Sequence, residues 1–259
     1  MLPILRLGPL TLQAPGLALL AGVWLGAWLA EKQAAQLKLA PAVISNLIYV
    51  GLFGGLLGAR LAYAARNLSA YLTSPLGLFA LTPATLWPEA GLLIGLGAAA
   101  WYGQRRGLPL RPSLDALAPG LAAFLVALGV AHLFSGDAYG APAQLPWSIY
   151  LWDEYRHPAQ VYEILVALLV FGAAWKKPFG DEGTGLNLLA VVALAAAARV
   201  LLETFRGDSL IWAAGFRAGQ VIGLLVLAAA LWLMRVWART GVSPSTQVQL
   251  HHESRSLSG

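Results

Sequence analysis

The sequence predicts an all-α protein that crosses a membrane about seven times, N-terminus out and C-terminus in. Three observations lead there. The 259 residues are 58% hydrophobic and only 11% charged, with a mean hydropathy of +0.67. The apolar residues gather in runs near the roughly 20 residues that cross about 30 Å of hydrocarbon. The basic residues alternate in density from one connection to the next, which is how orienting loops behave.

The runs are taken as spans over residues 10–30, 43–65, 86–103, 114–134, 159–175, 186–205 and 215–237. The N-terminus before the first span has one basic residue, Arg6, and no clear small-residue cleavage site, so that span is expected to be retained rather than removed. The second contains GLFGGLLGAR, whose pairs Gly51/Gly55 and Gly54/Gly58 suit close helix packing. The third opens on Glu89 in LWPEAGLLIG, and the fourth runs into the loop AHLFSGDAYG. The fifth is short and begins with RHPAQVYE, five polar side chains at the mouth of an apolar helix. In the sixth, Arg199, Glu203 and Arg206 are spaced i, i+4 and i+7, one stripe of a helix. Residues 1–239 thus form one membrane domain, and 240–259 a polar tail expected to be disordered, with His251 and His252 solvated in it.

Connections after spans one, three, five and seven hold Lys32 and Lys38, Arg105, Arg106 and Arg111, Lys176 and Lys177, and Arg235 and Arg239. The other side holds Arg6, Arg66, Arg156, Arg206 and Arg217. The richer side is expected to be cytoplasmic, which puts RHPAQVYE and RVLLETFR at the outer leaflet. The formal charge of +5 is scattered between apolar runs and makes no face for a phosphate backbone, so nucleic acid is excluded as a partner. Cysteine is absent, which removes disulfides, thiolate metal sites and cysteine nucleophiles. The histidines lack ligand spacing, and no metal or other cofactor is expected.

Charge inside a membrane span is costly and points to function. Arg60, Glu89, His132, Asp137, Arg156, His157, Arg199, Glu203 and Arg206 all fall near one membrane depth. Each has a structural alternative: an interhelical ion pair for Arg199 and Glu203, a helix start for His157, a turn for Asp137, an interfacial carboxylate for Glu89. Together, arginine forks suit a phosphate, and long apolar helices suit acyl chains. The chemistry expected is recognition of an outer-leaflet phospholipid.

RHPAQVYE resembles the R-H-P-S-Q-L-Y-E motif of the prolipoprotein diacylglyceryl transferases, through Arg156, His157, Pro158, Gln160, Tyr162 and Glu163. RVLLETFR resembles that family's arginine, three residues, glutamate, two residues, arginine pattern. GARLAY resembles its G-G-R-L-G-Y turn and places Arg60, while LGPL and AGQVIG resemble its opening I-G-P-L and its last-span G-Q. The likeness runs from about residue 5 to 238. It implies a seven-span enzyme of the bacterial plasma membrane with its active site toward the outer leaflet. Such an enzyme moves the diacylglyceryl group of phosphatidylglycerol onto the lipobox cysteine thiol of a prolipoprotein signal peptide. Arg60, Arg156, Arg199 and Arg206 would bind lipid phosphate, with Gly140, His157, Gln160, Tyr162 and Glu163 in support. Glu89, His132, Asp137 and Glu203 would be the catalytic group.

The departures fall close to the chemistry. Glu89 stands where the family has the histidine of H-G-G-L, and Pro15 aligns with a first-span tyrosine. The signature R-L-G-N-F-I-N-G-E-x-x-G becomes GVAHLFSGDAYG, with Gly129 for arginine, His132 and Ser135 for the asparagines and Asp137 for glutamate; Gly136 and Gly140 persist. A related transferase with a changed donor or acceptor, and a non-catalytic lipid-binding protein on the same scaffold, therefore stand beside the first reading.

Overall fold

In the computed structural model, residues 4–7, 10–74, 76–77, 85–180, 182–212 and 215–240 are described. A hairpin of β1 (Ile4–Leu7) and β2 (Leu10–Gln13) precedes α1 (Ala14–Gln36). Then come α2 (Pro41–Arg66), α3 (Leu68–Thr73), α4 (Pro88–Arg105) and α5 (Leu110–Ser135). A second hairpin, β3 (Ile149–Leu151) with β4 (Glu154–Arg156), leads to α6 (Ala159–Lys176). The chain ends in α7 (Leu186–Leu202), a 3₁₀ turn Glu203–Phe205, and α8 (Ala218–Thr240). The polar tail expected over 240–259 lies outside the described residues apart from Thr240, and His251 and His252 fall there too.

All seven expected spans are helices, and six are long and apolar enough to cross a membrane. The helix outside that six is α4, 18 residues whose last turn carries Arg105. The first span is shorter at its start than the sequence suggests. Residues 10–13 pair as a strand, and the helix begins where Pro15, which needs no backbone donor, occupies its first turn.

Large apolar side chains point outward, among them Trp24, Leu93, Leu169 and Leu225, while the interior is made of small ones. One cluster joins Ala118, Ala122, Val170, Ala174 and Val191 across α5, α6 and α7. Another joins Ala30, Ala34, Ile44 and Ala116 across α1, α2 and α5. This inversion suits a lipid solvent, where helices associate through close packing rather than apolar burial. At Gly26 and Gly120 a side chain on either helix would strike the other's backbone, so α1 and α5 touch main chain to main chain. The expected Gly51/Gly55 pair does the same for α2 against Gly91 and Gly95 of α4. Helix α5 is the hub, packing on α1, α6 and α7, while α8 leans on α7 and α4 on α2.

Buried Asp115 of α5 accepts the backbone N–H groups of Gly185 (2.8 Å) and Leu188 (3.1 Å), satisfying donors at the start of α7. At the opposite end of α7 the loops are stitched by main-chain bonds. The amide of Ala141 donates to Phe205 (2.7 Å), Gly207 to Tyr139 (2.8 Å) and His157 to Ala141 (3.0 Å). That woven layer covers the candidate site.

Candidate active site

The last turns of α5 and α7 and the first of α6 enclose a cavity of about 210 Å³. Its lining includes His132, Glu163, Arg199 and Arg206, set among Leu125, Leu128, Val166, Ala195 and Leu202. His132 Nδ1 lies 2.7 Å from Glu163 Oε2. A carboxylate only accepts, so Nδ1 is the donor, and in the neutral imidazole Nε2 then carries the lone pair. This arrangement, an imidazole oriented by an acid, is that of a general base.

Arg199 and Glu203 are paired at 3.0 Å, i to i+4 as their spacing required. Glu203 is 1% exposed, whereas the Arg199 side chain is 43% exposed. The carboxylate is wedged against Gly219 of α8, where a β-carbon would come within 2.5 Å of it. Arg206 is held in a two-point fork by Asp208, at 2.9 and 2.7 Å. Its backbone bridges that of Gly140.

The other expected residues sit elsewhere. Arg60 does not line this cavity. It is 4% exposed, its guanidinium donates to the carbonyls of Thr85 (2.8 Å) and Gly77, and it lies over the Tyr71 ring. Arg60 ties the loop before α4 to α2. Glu89 is exposed on the first turn of α4, a position favoured by the helix dipole, and is likewise outside the cavity. Asp137 is exposed too. Its contribution is its backbone carbonyl, which accepts from the buried Gln160 at 3.0 Å. Arg156 is spent on the covering layer, donating to Glu154 (2.6 Å), Leu151 (3.1 Å) and Gly140 (3.3 Å), and stacks over Tyr139.

His157, Tyr162 and Phe205 pack edge to face, and the Tyr162 hydroxyl accepts from Trp147 at 2.8 Å. Gly140 is wedged so tightly against the His157 backbone that no side chain fits. RHPAQVYE is therefore polar for two reasons: Glu163 faces the cavity, and the rest anchors its cover.

Sequence reasoning passed over two features. Arg217, counted there only as a basic residue, donates to the carbonyls of Glu203 and Arg206 (2.8 Å) and to Ser209 (3.1 Å), clamping the turn that presents both charges. Its proximity to AGQ was the available signal. At Gly129 the helices α5 and α6 close up: a β-carbon there would meet Ile164 at 2.9 Å. The space beside it is filled by a neighbour.

A profile of the prolipoprotein diacylglyceryl transferase family matches residues 3–236. Relatives named phosphatidylglycerol–prolipoprotein diacylglyceryl transferase align along most of their length. That of Gloeobacter violaceus is 30% identical, over 87% of this chain and 92% of its own. That of Polaromonas naphthalenivorans is 29% identical, over 92% and 95%. That of Nitratidesulfovibrio vulgaris strain Miyazaki F is 28% identical, over 88% and 90%. The chain belongs to the prolipoprotein diacylglyceryl transferase family.

Proposed function

We propose that the protein transfers the diacylglyceryl group of phosphatidylglycerol to the lipobox cysteine of prolipoproteins, at the outer leaflet of the bacterial plasma membrane. The observation that carries this is one cavity with a His132–Glu163 pair and two arginines, Arg199 and Arg206, in its lining. His132 Nε2 takes the proton of the cysteine thiol while Glu163 steadies the imidazole. The thiolate sulfur bonds to the glyceryl carbon that carries the phosphate. The carbon–oxygen bond breaks, and glycerol phosphate leaves with the electron pair. Arg199 and Arg206 receive its charge, and donors fixed in advance are the larger contribution to such a step. Glu203 and Arg217 hold these arginines in place, and acyl chains lie among the apolar residues between the helices.

The surplus of Lys and Arg at the far end supports an outward-facing site, N-terminus out and C-terminus in, with α4 as a seventh span. Incubation of purified protein with labelled phosphatidylglycerol and a lipobox peptide tests the reading. Mass analysis should show the peptide gaining a diacylglyceryl group on its cysteine; an unmodified peptide at complete incubation rejects it. The closure at Gly129 favours one second reading, a changed phospholipid donor, which would appear as product only when another headgroup replaces glycerol.

A further inference from the structure

His132 stands in the last turn of α5, where helices ordinarily fray. Here the residue is held by both its side chain and its main chain, and both holds lead to one face of α6. The ring is held by Glu163, whose Oε2 accepts from Nδ1 at 2.7 Å. The main chain is held through a relay. The His132 carbonyl accepts the amide of Gly136 (2.9 Å) and the hydroxyl of Ser135 (3.3 Å). The Ser135 oxygen in turn accepts the amide of Asp137 (3.1 Å), and the Asp137 carbonyl accepts the side-chain amide of Gln160 (3.0 Å). Gln160 and Glu163 are three residues apart in α6, so they share a face of that helix.

Gln160 is 0% exposed, yet its Oε1 has no hydrogen-bond partner among the described residues. A buried amide that meets only part of its bonding capacity is a poor stabiliser. What its one bond does is fix the Asp137 carbonyl, and with it the cap of α5. Gly129 lies one turn before His132, and Ile164 is the neighbour of Glu163. At that crossing a β-carbon on residue 129 would come within 2.9 Å of the Ile164 side chain and 3.3 Å of its backbone nitrogen. The bare glycine lets α6 approach α5 closely at the point where the His132–Glu163 bond has to be short.

Resting on the reading of His132 as the base, we propose that Gln160 and Gly129 are positioning residues for it. Gln160 fixes the turn that carries His132, and Gly129 sets the spacing across which Glu163 reaches Nδ1. Together they keep the lone pair of the neutral ring on Nε2. A ring that changed tautomer would meet the thiol with an N–H in place of that lone pair. Neither residue lines the cavity, so both act through His132.

Nitrogen-15 magic-angle-spinning spectra of the full chain in phosphatidylglycerol vesicles, labelled at its four histidines, test the proposal. The His132 signals are those missing in His132→Ala. At a pH where the ring is neutral, the parent should show one tautomer, protonated at Nδ1. Gln160→Met removes the donor and the orphaned acceptor together at similar volume. It should mix in the other tautomer while the melting temperature hardly moves. Gly129→Ala leaves every polar group in place and should do the same by pushing Ile164 and Glu163 away. Transfer to the lipobox peptide should fall about tenfold in Gln160→Met, less than the roughly thirtyfold that loss of the base would cause. That deficit should fade as pH passes about 8.5, where the thiol ionises unaided. In a His132→Ala background it should shrink to within about twofold. An unchanged tautomer in both variants overturns the proposal. So does a tenfold deficit that persists without His132, the mark of a merely structural role. A parent that modifies no peptide, yet loses its single tautomer in Gln160→Met, removes the transfer reading and leaves the hold on His132 standing.

Discussion

Arg60 and Arg199 stand at comparable places, each in the last two turns of its helix. They end up in opposite circumstances. Around Arg60 the helices α2 and α4 close through glycine, and the guanidinium is engaged by carbonyls of the loop between them. Around Arg199 the helices α5, α6 and α7 leave a cavity, and its ion-pair partner, Glu203, is itself pinned by Gly219. An arginine whose donors face main-chain carbonyls stabilises a fold. An arginine held from one side, with the rest of its fork over a cavity, is available to a substrate.

The comparison breaks most visibly if Arg199→Ala keeps its activity. Removal of one preorganised donor costs roughly 3–4 kcal/mol, so transfer to the lipobox peptide should fall by at least about a hundredfold per folded molecule, and the melting temperature should fall too because the buried Glu203 carboxylate loses its partner. His132→Ala comes next. Forming a thiolate at pH 7 from a thiol of pKa near 8.5 costs about 2 kcal/mol, so a loss of about thirtyfold is expected. That loss should shrink as pH rises past 8.5, because the thiol then ionises unaided; a pH-independent deficit would remove His132 as base. Gly219→Ala drives a methyl into the Glu203 carboxylate and should lower activity about tenfold through a displaced Arg199, measured in the same assay.

Arg60→Ala should act the other way. Two loop carbonyls lose their donors at a cost of about 2 kcal/mol, which lowers the melting temperature in detergent by roughly 4–8 °C. Activity per folded molecule should stay within about twofold, and a hundredfold loss would return Arg60 to the site. Smallest of all is Glu89→Gln, an exposed carboxylate on a first helical turn. A change of no more than about 0.5 kcal/mol in stability and none in turnover is expected.

The bundle was legible because lipid imposes long apolar runs; the i, i+4 spacing paired Arg199 with Glu203, but the helix ends at Leu202 and Arg206 stands on extended backbone rather than on the expected stripe. The start of α1 was less so, since Leu10–Gln13 is as apolar as the helix it precedes and only pairing with Ile4–Leu7 makes it a strand. The surroundings of Arg60 were hidden for a deeper reason. An arginine at a span's end looks the same in a sequence whether it meets carbonyls or a cavity, and the loop that decides the matter lies up to 25 residues away. His132 was legible as a candidate, but its partner came from the opening of another helix 31 residues on. That Gly129 is closed off by Ile164 of α6 could not be read from the sequence, because the two meet only when α5 and α6 pack.

Gly140 joins these threads. Its carbonyl receives Arg156, its backbone bridges Arg206, and its bare α-carbon rests on the His157 main chain. The loops beside the cavity are thus tied into one plate, so a single methyl at Gly140 would be felt at Arg156, His157 and Arg206 together.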